Sequence, residues 1–248
     1  MLFRRKHPCR YRQYNTVLTT GIYLRSSNIQ TSARALRGSK SFSSHPDSLR
    51  NGLALTRDIR SVPDNGSDTP YTVPTILLPD GTYVMHSLKI LEAINKRYPS
   101  PPLKYQTPRL DRFMKCVEQT MIAFRGIYVP GVANRLLGEG SLDFFHRTRE
   151  RDIGMTLAEF EEKEGGEGAY EAMEQHLKQV TALLAEDGGG PFFEGKDVSQ
   201  IDFVWIGILL FIQRMGDDVF DKVLRRSGDA KKHLDLLEAA KPWYEKDD

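Results

Sequence analysis

Cysteine is scarce in this chain. Only Cys9 and Cys116 occur among its 248 residues, and they stand far apart. Two isolated cysteines form neither a disulfide framework nor a metal-ligand pattern, and such usage is typical of a reducing compartment. The six histidines are scattered and lack the pairing of a metal motif. The sequence therefore predicts that no metal is bound.

Long apolar runs are lacking as well. The longest candidate, residues 203–212, falls well below the roughly 18 residues that indicate a transmembrane helix, so we expect a buried helix there. A hydrophobic content of 40% and a charged content of 27% are ordinary for a soluble globular protein. These features predict a cytoplasmic protein without a membrane partner.

Acidic residues are missing from residues 1–46, which carry nine Lys and Arg side chains. The rest of the chain holds 26 basic and 33 acidic groups, so no nucleic-acid partner is expected for it. Basic, Ser-rich segments of this kind are typical of organelle presequences. Three interpretations of residues 1–46 stay open: a mitochondrial presequence, a wrongly assigned first exon, and a disordered or nucleic-acid-binding arm. Disorder is the structural expectation for most of this segment.

The most regular pattern of the chain lies in residues 71–98. Two short β-rich runs flank Pro79-Asp80-Gly81, whose Asp-Gly step supplies the positive φ that a tight hairpin needs. Ser87 follows where a helix N-cap belongs. After it, an apolar stripe at helical spacing is formed by Leu88, Leu91, Ile94 and Tyr98. The pattern predicts a strand–turn–strand–helix unit.

Helical periodicity dominates the rest of the chain. Residues 100–107 are proline-rich and read as a linker, after which Thr107 is expected to cap a helix with Pro108 at its first position. We expect Pro130-Gly131 to break or bend this helix and residues 157–163 to form an acidic turn. Further helices are predicted within 143–154, 169–186, 201–213, 217–226 and 229–240. Several antiparallel helices joined by short breaks indicate a bundle.

Ser199 and Asp202 stand just ahead of the most apolar of these helices. Serine at the N-cap with a carboxylate three residues later predicts a structural capping box, in which each residue satisfies a backbone donor of the other. An unsatisfied buried donor costs about 1–3 kcal/mol. This pair is therefore expected to fix the start of a buried helix.

Together these segments resemble a fungal-type glutathione transferase. The resemblance covers roughly residues 63–248 and rests on Val73-Pro74 ahead of the hairpin, on the Ser87 helix and on the Ser199–Asp202 box. The runs 80–85, 98–101 and 145–150 are similar to the subgroup found in secondary-metabolite pathways and among lignin β-etherases. A mainly α fold with a small α/β part is implied. Its parts would be a basic segment (1–46), a partial thioredoxin-like domain (47–99), a linker (100–107) and an all-α domain (108–248).

The resemblance also implies a glutathione site. Val73 would offer its backbone to the cysteinyl part of glutathione beside a cis Pro74, and Ser87 would bind the γ-glutamyl carboxylate. His86 stands where the family usually has Asp or Glu to position the glutathione amino group. Loss of that charge-assisted bond would weaken the binding free energy of glutathione by about 1.5–3 kcal/mol. The family places its electrophile pocket against the first helix of the helical domain, so Phe124 or Tyr128 is a candidate to line it, with a place in the core as the alternative.

The implied function is transfer of glutathione to small hydrophobic electrophiles by a homodimer, with glutathione as co-substrate. In the family, a Ser, Tyr or Cys near the first strand and helix lowers the pKa of the glutathione thiol. Ser26, Ser27, Tyr11 and Cys9 are available, but none stands in a strand-to-helix context. The catalytic residue is therefore unassigned, and a non-catalytic binding or assembly module is the alternative hypothesis.

Overall fold

The computed structural model describes residues 75–85, 87–100, 103–104 and 107–244. Two compact units divide the chain between Pro102 and Leu103. The described part holds nine helices and one two-stranded sheet, which confirms the predicted mainly α fold with a small α/β part. Residues 1–46, Val73, Pro74 and His86 lie outside the described residues.

A β-hairpin begins the described part of the first unit. Strands β1 (Thr75–Leu77) and β2 (Tyr83–Met85) pair antiparallel, with Ile76 opposite Val84. Gly81 adopts a φ of 86° in the connecting turn, as the Asp-Gly step predicts. The Asp80 carboxylate accepts a 2.9 Å hydrogen bond from the backbone N–H of Thr82 and thereby fixes the turn.

Helix α1 (Ser87–Arg97) follows the hairpin and buries Ile90, Leu91 and Ile94. Ile76, Ile90 and Ile94 form a small apolar cluster against which Tyr98 packs. Leu88, expected on the buried stripe, is 43% exposed. The prediction was wrong because successive helical residues turn by about 100°, which places Leu88 over a quarter turn from the centre of the buried face.

Eight helices form the second unit. The segment 157–163, expected to be a turn, is helical because Thr156 and Glu159 form a capping box ahead of it. The helices are α2 (Pro108–Ala123), α3 (Arg125–Arg135), α4 (Glu139–Ile153), α5 (Leu157–Glu164), α6 (Gly166–Ala185), α7 (Gln200–Met215), α8 (Asp217–Arg226) and α9 (Ala230–Tyr244).

The break between α2 and α3 lies at Phe124, and not at Pro130-Gly131 as expected. Pro130 is accommodated inside α3. At the start of α3, Gly126 lies against the end of α5: a Cβ atom on Gly126 would sit 2.1 Å from the carbonyl oxygen of Glu164. Only glycine permits this close backbone approach. The packing of α3 against the end of α5 therefore determines where the bend lies.

Helix α7 is the most buried element of the second unit. Twelve of its sixteen residues are buried, which confirms the expectation from its apolar sequence. Phe113 of α2 packs edge-on against Trp205 of α7 and against Phe193, with ring centroids 6.1 and 5.2 Å apart. The start of α2 follows the prediction, since the Thr107 hydroxyl accepts a hydrogen bond from the backbone N–H of Leu110.

Candidate functional site

Ser87 is the predicted glutathione-site residue that lies within the described part of the chain. It directly follows β2 as the first residue of α1 and is half-buried. The first turn of α1 contains no acidic side chain. The backbone N–H groups at a helix start carry a partial positive charge, and no carboxylate of this turn compensates it. The position therefore suits a small anionic group.

The other predicted site residues are not brought together with Ser87 by the described structure. Val73, Pro74 and His86 lie outside the described residues, and so do Cys9, Tyr11, Ser26 and Ser27. Groups of three or more His, Cys, Asp or Glu side chains that would suit a metal ion do not occur in the described part. Its helices also include none long and apolar enough to cross a membrane.

Asp202 receives three hydrogen bonds at the start of α7. Its Oδ2 accepts from the backbone N–H and from the hydroxyl of Ser199, both at 2.7 Å, and its Oδ1 accepts from the backbone N–H of Phe193 at 2.9 Å. Burial raises the pKa of Asp202 to about 6, and the three donors oppose this rise. Ser199 and Asp202 therefore fasten the preceding loop to the buried helix.

A second buried polar cluster centres on His233 of α9. The indole N–H of Trp205 donates to His233 Nδ1 at 2.9 Å, and His233 Nε2 lies 2.8 Å from the hydroxyl oxygen of Thr181. That hydroxyl donates to the carbonyl oxygen of Ser227 at 2.7 Å. Because Nδ1 accepts, Nε2 carries the proton and donates to Thr181. The cluster ties α6, α7 and α9 together.

Burial lowers the pKa of His233 to about 4, so the ring is neutral at pH 7. No sequence pattern indicated this cluster, since its members come from three separate places in the chain, near residues 181, 205 and 227–233. The one local signal is a histidine on the apolar face of a helix, where a buried ring needs partners for both nitrogens. The cluster is buried, and its role is to stabilise the packing of these helices.

The predicted electrophile-pocket residues lie in the core. Phe124 has no exposed surface and packs against Tyr128 and Tyr170, with centroids 6.0 and 6.2 Å apart. Phe124 is therefore part of the core of the second unit. Tyr128 is also buried and contacts Phe211.

Cys116 lies half-buried on α2, and its Sγ is 3.5 Å from the side-chain oxygen of Gln179. Burial raises the pKa of this thiol. The thiolate is the nucleophilic form of cysteine, so this environment disfavours a reactive Cys116.

The arrangement of the second unit is that of a known family. The family model for the glutathione S-transferase C-terminal domain matches residues 111–242. This match spans more than half of the chain, which therefore belongs to the glutathione S-transferase family. The described hairpin and α1 fit the thioredoxin-like part that precedes the helical domain in this fold.

Individual relatives are distant. The chain is 23% identical over 201 residues to the glutathione S-transferase-like protein ustS of Aspergillus flavus, covering 75% of this chain and 71% of ustS. A glutathione S-transferase of Ceriporiopsis subvermispora, solved in complex with glutathione, superposes with a TM-score of 0.70 at 22% identity. The match covers 94% of this chain and 92% of that structure.

Glutathione transferase GSTFuA3 of Phanerochaete chrysosporium gives a TM-score of 0.61 at 20% identity, with 79% of this chain and 81% of that structure covered. At these identities the solved structures establish a shared fold.

Proposed function

We propose that this protein binds glutathione and transfers it to small hydrophobic electrophiles. Membership of the glutathione S-transferase family supports the proposal, as does the shared fold with a transferase solved in complex with glutathione. The single observation that carries it is the half-buried Ser87 at the first position of α1, directly after β2. This is where the family resemblance puts a ligand carboxylate.

The γ-glutamyl carboxylate of glutathione would bind at the start of α1. The Ser87 hydroxyl and the backbone N–H groups of the first turn would donate to it. A negative group at a helix N-terminus gains about 0.3–1 kcal/mol from the helix dipole. The first turn of α1 holds no acidic side chain that would compete for these donors.

Val73, Pro74 and His86 complete the proposed site. Val73 would pair its backbone with the cysteinyl part of glutathione, next to Pro74. His86 replaces the carboxylate that would pair with the glutathione ammonium group. An imidazole does not form this charge-assisted bond. The proposed affinity for glutathione is therefore about tenfold or more below that of a site with Asp.

The proposed reaction is attack of the glutathione thiolate on an electrophilic carbon. The thiol gives up its proton, a sulfur–carbon bond forms, and the electrophile either loses a leaving group or gains the proton. A free thiol has a pKa near 8.5, so a hydrogen-bond donor that favours the thiolate accelerates the attack. No residue of this chain is assigned to that donor.

Binding and turnover of the full-length protein test the proposal. We expect the wild-type protein to bind glutathione and to conjugate it to an activated chloroarene. Ser87→Ala should weaken glutathione binding by about tenfold. Ser141→Ala, a change near the start of α4, is the matched control and should leave binding unchanged.

The outcomes separate the alternatives. Glutathione binding without turnover of several electrophiles would favour a non-catalytic binding or assembly module. Absence of glutathione binding by the folded wild-type protein would overturn the proposed function.

A further inference from the structure

Two Asp-Gly steps occur in the part of the chain that the structure describes. One is Asp80-Gly81 in the turn between β1 and β2, and the other is Asp187-Gly188 in the loop after α6. An Asp-Gly step is chemically labile, because the backbone nitrogen of the glycine can attack the side-chain carboxyl carbon of the aspartate. Glycine has no Cβ atom to hinder this approach. The two steps therefore share one intrinsic reactivity, and the fold determines whether each step reacts.

The fold restrains Asp80-Gly81. The backbone N–H of Gly81 donates to the carbonyl oxygen of Leu78 at 2.9 Å, and this bond must break before the nitrogen can attack. The Asp80 carboxylate accepts from Thr82 and lies 3.6 Å from the Arg97 guanidinium. The hydrogen bond from Thr82 and, to a smaller extent, the Arg97 charge hold the pKa of Asp80 below its usual value. This disfavours the protonated carboxyl group that ring closure consumes.

Asp187-Gly188 has none of these restraints. Both residues are exposed, and within the described residues neither the Gly188 N–H nor the Asp187 carboxylate has a hydrogen-bond partner. The carboxylate lies beside Gly195, where a Cβ atom would come 3.0 Å from Oδ2, and this contact supplies no donor. Two further glycines follow Gly188, so three consecutive residues without a Cβ atom let the chain reach the geometry of ring closure.

We propose that Asp187 is a site of spontaneous isoaspartate formation in the folded protein and that the hairpin turn protects Asp80 from the same reaction. The Gly188 nitrogen forms a bond to the side-chain carboxyl carbon of Asp187, and the carboxyl hydroxyl leaves with the N–H proton as water. The product is a succinimide ring.

Water then opens the ring at either of its two carbonyl carbons. One opening regenerates aspartate. The other leaves the main chain running through the side-chain carboxyl carbon, which gives isoaspartate. Aspartate and isoaspartate have the same mass, and the reaction requires no reactant besides water. This inference is independent of the proposed glutathione chemistry.

Isoaspartate at position 187 would disturb the loop that leads to α7, because it adds one carbon to the main chain between two anchored positions. On one side, the Glu186 carboxylate accepts hydrogen bonds from Arg112 at 2.7 and 3.0 Å. On the other side, Gly190 packs so closely on Gly195 that a Cβ atom would lie 2.3 Å from the carbonyl oxygen of Gly195. A lengthened chain must shift at one of these contacts, so the modified protein should unfold at a lower temperature.

Ageing of the full-length wild type at neutral pH tests the inference. Isoaspartate is detected by its methylation with an isoaspartyl methyltransferase and is located by fragmentation of the peptides in a mass spectrometer. Isoaspartate should form at Asp187 at least about fivefold faster than at Asp80, because hydrogen bonds of the turn restrain only Asp80. Location of each product also separates these steps from Asn51-Gly52 and Asn65-Gly66, which form isoaspartate with loss of ammonia.

The same protein in denaturant is the sharpest control. Both steps are Asp-Gly, so in the unfolded chain they should react at similar rates, and the difference should appear only in the folded protein. Asp187→Glu keeps the charge but would have to close a larger ring, so it should abolish isoaspartate at position 187 and prevent the fall in unfolding temperature on ageing. Asp80→Glu is the matched variant and should leave the rate at Asp187 unchanged.

Equal rates at the two steps in the folded protein would overturn the inference. So would absence of isoaspartate at Asp187 under conditions in which the unfolded chain forms it at both steps. A rate difference that persists in denaturant would contradict protection of Asp80 by the fold.

Discussion

The two units of this protein differ in how their polar groups are used. In the helical unit, Asp202 and His233 are buried: Asp202 bonds to the loop just ahead of its helix, and His233 bonds to groups from distant parts of the chain. In the described part of the first unit, the apolar cluster has three buried members, and Ser87 stands half-buried at a helix start. Stability and proposed ligand binding therefore depend on different units.

This difference can be tested directly. Substitutions of buried groups in the helical unit should change the free energy of unfolding and leave glutathione affinity of the folded protein unchanged. Substitutions at the start of α1 should change the glutathione affinity and leave the free energy of unfolding unchanged.

Asp202→Ala should have the largest effect on stability. It leaves three donors without their carboxylate, two from Ser199 and one from Phe193, and should lower the free energy of unfolding by about 3 kcal/mol or more. Chemical denaturation measures the change. Asp235→Ala, which removes an exposed carboxylate paired with Lys231, is the control and should cost below about 1 kcal/mol. Equal losses in the two variants would refute the capping role.

Gly126→Ala should lower the free energy of unfolding by about 2–3 kcal/mol, because the added Cβ would collide with the backbone of Glu164. Gly168→Ala places the same methyl group in α6 with no atom within 4 Å. That control should be neutral or stabilising by up to about 1 kcal/mol. Thermal and denaturant unfolding of both variants measure the difference, and a neutral Gly126→Ala would contradict the close packing of α3 on α5.

His233 should make stability depend on pH. Its pKa falls from 6.5 in the unfolded chain to about 4 in the folded one, so between these values the unfolded chain binds the extra proton. Stability is therefore lost as the pH falls from 6.5 towards 4. The difference in unfolding free energy between the wild type and His233→Asn should therefore fall by about 2–3 kcal/mol between neutral pH and a pH near 4.5.

The raised pKa of Asp202 acts in the opposite sense, because it favours the folded state less as the pH rises from 3.8 to about 6. Both proteins contain Asp202, so this contribution cancels from the comparison. A difference in unfolding free energy that does not vary with pH would show that His233 is not held neutral.

Thr107→Ala should lower the free energy of unfolding by about 1 kcal/mol, the smallest of these effects. The substitution removes the hydroxyl that accepts from Leu110 at the start of α2. Thr148→Ala provides a matched control, because that hydroxyl donates to the carbonyl oxygen of Phe144 within its own helix. The control should change unfolding free energy by less than about 0.5 kcal/mol. A larger loss in the control would contradict the assignment of the cap.

Local patterns account for the features that the sequence predicts well. The Asp80-Gly81 turn, the Thr107 cap and the apolar helix α7 each depend on neighbouring residues, so they are visible without the fold. The bend at Phe124 depends on which surfaces meet in three dimensions. A local break signal such as Pro130 misleads when the helix around it is held by packing.

The candidate site was predicted only in part for a related reason. The hairpin and the Ser87 helix form one continuous segment, and the family resemblance supplies a role for it. His233 has partners at Thr181 and Trp205, which no local pattern connects. The burial of Phe124 rests on contacts with Tyr128 and Tyr170, and the contact with Tyr170 joins residues that are distant in the sequence.

Calorimetric titration of the full-length wild type and His86→Asp with glutathione tests the central claim most directly. The account predicts that the wild type binds and that His86→Asp binds about tenfold or more tightly, because the new carboxylate pairs with the glutathione ammonium group. The unfolding free energies of the two proteins should agree. Absence of binding in both folded proteins, or equal or weaker binding by the variant, would contradict a glutathione site at the start of α1.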